Sequence, residues 1–374
     1  MIRKVAILGS GNVGKAMAAD LALKGLEVNL CNSPFFLPEE FELLTERKQI
    51  DLDDRRKDVD GVRNTVKIHK ATTNFEEAIK GVDYIMVTVP ATAHKLYFES
   101  MMPYLEDGQT IFIWPGNFGA LLFAKMLREK GVRKDLKLAE SDTVSVPSRS
   151  EAPCQVRIVC NCVRFWIATL PAKNVDKVVN DLKLIYPAGE PTANVMATSL
   201  SNPNTSVHPA GTLLNAGWVD TLREDFYLYR MGTTYSVAKV IRAVYDEIQT
   251  VANAIGVQIL QYPEHTFWER STIMGAYYKA PFDSEHIVAS ANGPSSMKHR
   301  YISEDVPYGL VPIALLGRQY GIPTPIIGAL INLASVINQA DYWKEGRSLE
   351  ELGIVGLSRD ELLKLLENGT EAGT

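Results

Sequence analysis

A strand-like run, Val5–Leu8, leads directly into Gly9-Ser10-Gly11-Asn12-Val13-Gly14, and a helical pattern follows over Lys15–Lys24 before Gly25 ends it. No other feature of the chain constrains its fold as tightly. Gly9 permits a tight turn, Gly11 lets backbone amides approach an anion, and Gly14 lets the helix pack closely on the strand. The helix then presents unbonded amides and the positive end of its dipole to a diphosphate. A glycine triplet alone is a weak signal; its strand–turn–helix setting makes it a dinucleotide-binding fingerprint. Gly9, Ser10, Gly11, Asn12, Val13 and Gly14 are therefore the expected cofactor cradle.

The alternation of strand and helix continues. Val28–Cys31, Asp83–Val89, Thr110–Trp114 and Leu136–Ala139 read as strands, and Val156–Thr169 is long enough for an antiparallel pair. This order argues for an α/β, doubly wound sheet covered by helices on both faces. Beyond Tyr186-Pro187-Ala188 strand signals fade, and helical periodicity covers Ser236–Ile255, Pro312–Tyr320, Ile326–Gln339 and Ser358–Leu366, the last opened by a Ser358…Glu361 capping box. Two domains follow, 1–188 and a mostly α-helical 189–374, as the length of 374 residues suggests.

Composition narrows the partners. A net charge of −5 offers no footprint for nucleic acid or acidic lipid. Four cysteines, Cys31, Cys154, Cys160 and Cys162, lack the further ligands a metal site requires and read as buried thiols. The immediate start of a strand leaves no room for a signal peptide, and the apolar run Ile326–Ile337 is too short to span a membrane. The expectation is a cytoplasmic protein without metal, membrane or nucleic-acid partners, with a homodimer as the candidate assembly.

At the end of the second strand, where an acid normally binds the ribose of NAD, stand Asn32 and Ser33. Both can donate to a 2′-phosphate, which favours NADP, and NAD stays open because no arginine follows. Pro90 and Ala91 close a later strand and are expected beside the nicotinamide, as is Trp114-Pro115-Gly116-Asn117. His94 is a competing catalytic candidate, but it opens a helical stretch, His94–Met101, and reads rather as a residue that caps or packs.

A nicotinamide enzyme also needs a group that moves a proton. Asn202-Pro203-Asn204-Thr205-Ser206-Val207-His208-Pro209 reads as a proline-stiffened loop holding one imidazole, suited to proton exchange near neutral pH. His69 and His286 lie in polar surroundings, while His265 and His299 sit among charged neighbours. Arg300 offers a planar fork for a carboxylate, and Asp305 follows before Pro307. By themselves Arg300 and Asp305 also fit an exposed ion pair.

Taken together, Gly9–Gly14, Val89-Pro90-Ala91-Thr92-Ala93-His94, the segment around Glu140, Asn202–Pro209 and Arg300–Gly309 resemble the opine dehydrogenases, the octopine/nopaline dehydrogenase group. The resemblance runs over nearly the whole chain and implies a Rossmann domain followed by a helical domain. It further implies reductive condensation of an amino acid with a 2-oxo acid, with His208 as the catalytic histidine, Asp305 as its paired acid and Arg300 binding the oxo acid. Glu140 and Asn117 are then expected near the substrate. The stretch Tyr227-Leu228-Tyr229-Arg230 departs from the pattern, with a cation where an acid is expected. Two alternatives use the same motifs: a simple 2-oxo acid or 2-hydroxy acid reductase, and a dinucleotide-sensing protein without turnover.

Overall fold

In the computed structural model, the structure describes residues 2–36, 38–56, 60–270, 272–275, 279–280 and 292–369. They form two compact units, one reaching to Val195 and including the chain from Glu367, the other Met196–Leu366.

The first unit contains the strands β1 (Lys4–Leu8), β2 (Glu27–Cys31), β3 (Gln49–Asp54), β4 (Val62–Lys67), β5 (Lys70–Thr72), β6 (Tyr84–Val87), β7 (Thr110–Ile113), β8 (Lys137–Ser141), β9 (Ser148–Ala152), β10 (Gln155–Ile158), β11 (Asn161–Cys162), β12 (Phe165–Leu170) and β13 (Gly189–Pro191). The main sheet runs β13-β12-β8-β7-β6-β1-β2-β5, parallel throughout except where β12 meets β8. β1, β6 and β7 are buried almost end to end, as strands covered on both faces must be. The winding reverses at β1, which pairs with both β2 and β6. The carboxyl ends of β1 and β6 thus form the topological switch point where such sheets bind ligands. Where 1–188 was the expected first domain, β13 still extends this sheet.

The expected antiparallel pair within Val156–Thr169 does not form. β10 instead joins a separate sheet, β4-β3-β10-β9, and β12 joins the main sheet. An apolar run specifies burial but not a partner, so the sequence pattern left the pairing open. The second sheet packs on α1 (Asn12–Leu23), which lies between it and the main sheet. The other helices of this unit include α2 (Pro38–Arg47), α3 (Phe75–Ile79), α4 (His94–Met101), α5 (Gly119–Glu129) and α6 (Val175–Lys183).

The second unit opens in α7 (Val195–Leu200) and continues through α8 (Pro203–Leu213), α9 (Ala216–Leu222) and α10 (Tyr235–Ile255). Helices at Val311–Gln319 and Pro325–Asn338 follow their expected spans within a residue. The final helix, Arg359–Asn368, is opened by the capping pair: Ser358 N donates to Glu361 Oε2 at 2.8 Å and Glu361 N to Ser358 Oγ at 3.4 Å. Among the described residues, no helix is long and apolar enough to cross a membrane.

Candidate active site

The glycine turn divides its labour among its residues. Gly9 sits at φ +107°, and a Cβ there would lie 2.6 Å from Val89 Cγ1; at Gly14 it would lie 1.8 Å from the Gly9 carbonyl oxygen. These two glycines are required by the protein's own packing. Gly11 differs, because a Cβ there would meet nothing within 4 Å. Gly11 is also the N-cap of α1, with no side-chain cap on the helix. Open space beside uncapped first-turn amides fits a dinucleotide diphosphate. Thr88 Oγ1 donates to the Leu8 and Gly9 carbonyls at 3.0 and 3.2 Å, tying the end of β6 to the turn. Ser10 is buried and Val13 half-buried, while the Asn12 side chain accepts from Ser150 N at 2.8 Å. Gly14→Ala is expected to cost roughly 1–3 kcal/mol or more, since backbone must yield to the new methyl. Thermal unfolding should show a lower Tm and titration with NADH a weaker Kd; an unchanged pair of values would refute the packing role.

Asn32 and Ser33 are both buried and both tied to Tyr97 of α4. Tyr97 Oη donates to Asn32 Oδ1 at 2.8 Å and accepts from Ser33 N at 2.9 Å, while Asn32 Nδ2 donates to the Phe36 carbonyl at 2.6 Å. Asn32 thus has Oδ1 and one Nδ2 hydrogen engaged within the protein. Pro90 is exposed at the switch point and Ala91 is buried behind it.

Asn117 and Phe118 follow the Trp114–Pro115 step with φ of +46° and +63°, a rare pair of left-handed residues that sets the start of α5. Glu140 supports this turn from below. It is fully buried, its Oε2 accepts from Ala120 N at 3.0 Å, and a Cβ on Gly116 would lie 2.2 Å from its Cδ. An anion at a helix N-terminus is favourable. Glu140 thus shapes the turn that carries Asn117, a structural task the sequence reading did not foresee. His94 is buried, 5.4 Å from the Phe98 ring, as its packing role requires.

In the second unit the segment expected as a stiff loop is helix α8. Asn202 is its N-cap, with Oδ1 accepting from Asn204 N at 3.0 Å, and Pro203 occupies the first turn, where a missing N–H costs nothing. Pro209 lies inside the helix. His208 is held by tertiary contacts rather than by loop stiffness. Its Nδ1 is 2.8 Å from Asp305 Oδ2, both side chains only 4% exposed. Its Nε2 lies 3.0 Å from Tyr229 Oη, and its ring stacks on Tyr301 at 3.6 Å and 16°. When Asp305 is ionised it can only accept, so the proton then sits on Nδ1 and Nε2 accepts from Tyr229.

Burial pushes the Asp305 carboxyl up, to about 7, against the opposing pull of Arg300. Arg300 itself faces Glu304 at 3.6 Å, one helical turn on, with its own side chain 53% exposed. The exposed Arg300–Asp305 ion pair is therefore replaced by two separate arrangements. The Arg300 side chain stays about half exposed, and Asp305 is turned inward to the imidazole while still feeling the Arg300 charge.

Of the other histidines, His69 and His265 are exposed beside Glu27 and Glu269, and His299 caps Arg300–Ser303 by accepting from Tyr301 N at 3.3 Å. His286 lies outside the described residues. All four cysteines are buried and unpaired with one another.

The model of the NAD/NADP octopine/nopaline dehydrogenase α-helical domain matches residues 191–338, and that of the NAD-dependent glycerol-3-phosphate dehydrogenase N-terminus matches residues 4–133. An opine dehydrogenase of Arthrobacter sp. (strain 1C) is 33% identical over 358 residues, covering 94% of this chain and 96% of the relative. The chain belongs to the opine dehydrogenase family. The octopine dehydrogenase of Pecten maximus is 26% identical over 388 residues, covering 92% and 93% of the two chains. A solved octopine dehydrogenase in complex with NADH and agmatine superimposes with a TM-score of 0.74 at 20% identity, covering 100% of this chain and 99% of that one. Family membership makes this chain an NAD(P)-dependent oxidoreductase acting on CH–NH bonds, on a Rossmann domain followed by an α-helical domain.

Proposed function

We propose that the protein condenses the amino group of an amino acid with a 2-oxo acid and reduces the product, with His208 as general acid/base. The His208–Asp305 contact at 2.8 Å, buried and bridging segments 97 residues apart, carries the reading. A buried carboxylate on Nδ1 fixes the tautomer and stabilises the imidazolium when Nε2 takes up a proton. Arg300 binds the 2-oxo acid carboxylate through its planar fork, which orients the carbonyl carbon. Nε2 of His208 takes up the proton that the amine loses as it adds, and returns it to the hydroxyl that departs as water. When bound at the Gly9–Gly14 turn, the reduced nicotinamide supplies the hydride. Asn117 and Glu140 act on the substrate side, Asn117 by lining and Glu140 through the turn it supports.

For the cofactor, Asn32 and Ser33 in place of the usual acid favour NADP and leave NAD open, so NADH and NADPH are tested side by side. The protein is mixed with either cofactor and pyruvate, glyoxylate or 2-oxoglutarate, with and without a panel of amino acids. Cofactor oxidation is expected only when both an oxo acid and an amine are present. Oxidation by the oxo acid alone would instead identify a simple 2-oxo acid reductase, and cofactor binding without oxidation under any condition a sensor.

A further inference from the structure

The hydrogen bond at His208 Nε2 belongs to the site's construction, and the catalytic scheme above leaves it unused. Nε2 is the nitrogen through which the proton must pass, and Tyr229 Oη lies 3.0 Å from it. Tyr229 sits in a π-helical turn, Leu228–Gly232, and Asp305 directly precedes a second one, Val306–Leu310. Such turns are rare and recur at functional sites, because they re-aim side chains that an α-helix would point elsewhere.

Both turns are seated on α8 itself. A Cβ on Gly309 would lie 2.8 Å from Thr205 Oγ1, and one on Gly211 would lie 2.9 Å from Leu228 Cδ1. Thr205, His208 and Gly211 are spaced three apart and share one face of the helix. Asn215 completes the seat: its Nδ2 donates to the Gly211 carbonyl at 2.7 Å and to the Gly232 carbonyl at 3.0 Å. Thr233 Oγ1 also closes on the Tyr229 carbonyl at 2.6 Å. The helix that carries the imidazole therefore also fixes the backbone that carries the phenol.

Resting on the proposed role of His208, the geometry points to Tyr229 as a positioning residue that donates to Nε2 in the substrate-free enzyme and yields that nitrogen to the substrate. Contacts on the imidazole then include Asp305 at Nδ1, Tyr229 at Nε2 and Tyr301 against its face. With Nδ1 protonated, the Nε2 lone pair is held in the direction from which a substrate proton will come. Substrate must displace the phenol to reach it, so the hydroxyl assists orientation while competing with binding.

Tyr229→Phe keeps the ring and removes only the hydroxyl, so the fold is retained and an unchanged Tm verifies it. Because substrate displaces the phenol, removing its hydroxyl is expected to leave kcat within about threefold and to lower the KM for the 2-oxo acid roughly fivefold to tenfold, since nothing then competes for Nε2. In the substrate-free protein, the 15N resonance of His208 Nε2 should move as its donor disappears. An unmoved resonance or an unchanged KM refutes the assignment. A kcat loss as large as that of His208→Ala also overturns it, by making the phenol itself the proton donor. Measured alongside, His208→Ala separates the two readings: if that variant retains turnover, the acid/base reading has failed before Tyr229 is judged.

Discussion

His208→Ala should lower kcat by roughly 10²–10⁴-fold, the range that a positioned acid/base supplies. An imidazole is the side chain whose ordinary value suits proton exchange near neutral pH, and Asp305 holds this one at 2.8 Å. The loss should appear in kcat with little change in cofactor affinity, because the glycine turn belongs to a separate unit. Steady-state kinetics with saturating amine and oxo acid, paired with fluorescence titration of NADH, make the measurement. Turnover within threefold of wild type would falsify the assignment. Because His208 is buried, a thermal unfolding curve for the variant separates lost chemistry from a lost fold.

A comparable effect is expected at Asp305. In Asp305→Asn the shape survives but the charge does not, and the amide can donate to Nδ1, favouring the tautomer with its proton on Nε2. Turnover is expected to drop roughly 10²–10⁴-fold, through loss of tautomer control and of imidazolium stabilisation. The pH dependence gives an independent reading. With Asp305 pushed up to about 7 by burial, wild-type activity should fall as pH drops through that value and the carboxyl takes up a proton. That limb should be missing from the residual activity of Asp305→Asn. Stability runs the other way. The folded carboxyl holds its proton more tightly than the unfolded chain does. Its contribution is therefore complete below the unfolded value and is lost as pH rises through about 7. Wild type and variant compared by Tm across this window should converge at the acid end in their pH slopes; a wild-type kcat independent of pH from 6 to 8, a range set by the value about 7, would sink the linkage.

Much of this arrangement was legible in the sequence, for identifiable reasons. β1, β6, β7 and β12 are largely apolar runs followed closely by glycine or proline, and α10 carries a 3.6-residue period between Thr234 and Gly256 as caps. The second sheet was not legible, because β4 is exposed at nearly every position and β9 is mostly polar. Misreading α8 as a loop came from weighing Pro203 and Pro209 as breakers; the pair Asn202 and Pro203 is equally a helix start. Arg300 and Asp305 looked like partners because they are close in sequence. One helical turn is nearer four residues than five, so Arg300 meets Glu304 while Asp305 points elsewhere. Tyr229 and Tyr301 carried no local sign of their role. Tyr301 follows Arg300 directly, and Tyr229 lies in the stretch whose departure from the family pattern was visible, but only tertiary packing brings either ring to His208.

The start of α1 is pinned from outside. Asn12 receives hydrogen bonds from Ser148 and Ser150, and Lys15 donates to the Ala152 and Pro153 carbonyls at 3.2 Å each. A second sheet thus braces the first helical turn. If the cofactor binds at this turn as proposed, the amides that meet its diphosphate are ordered beforehand, and little conformational entropy remains to be surrendered on binding. Cofactor capture at this turn should therefore resemble docking onto a rigid surface, with calorimetry registering a modest entropic penalty. Slackening that brace from the β9 side, at Ser148 outside the glycine turn, should weaken affinity through order alone.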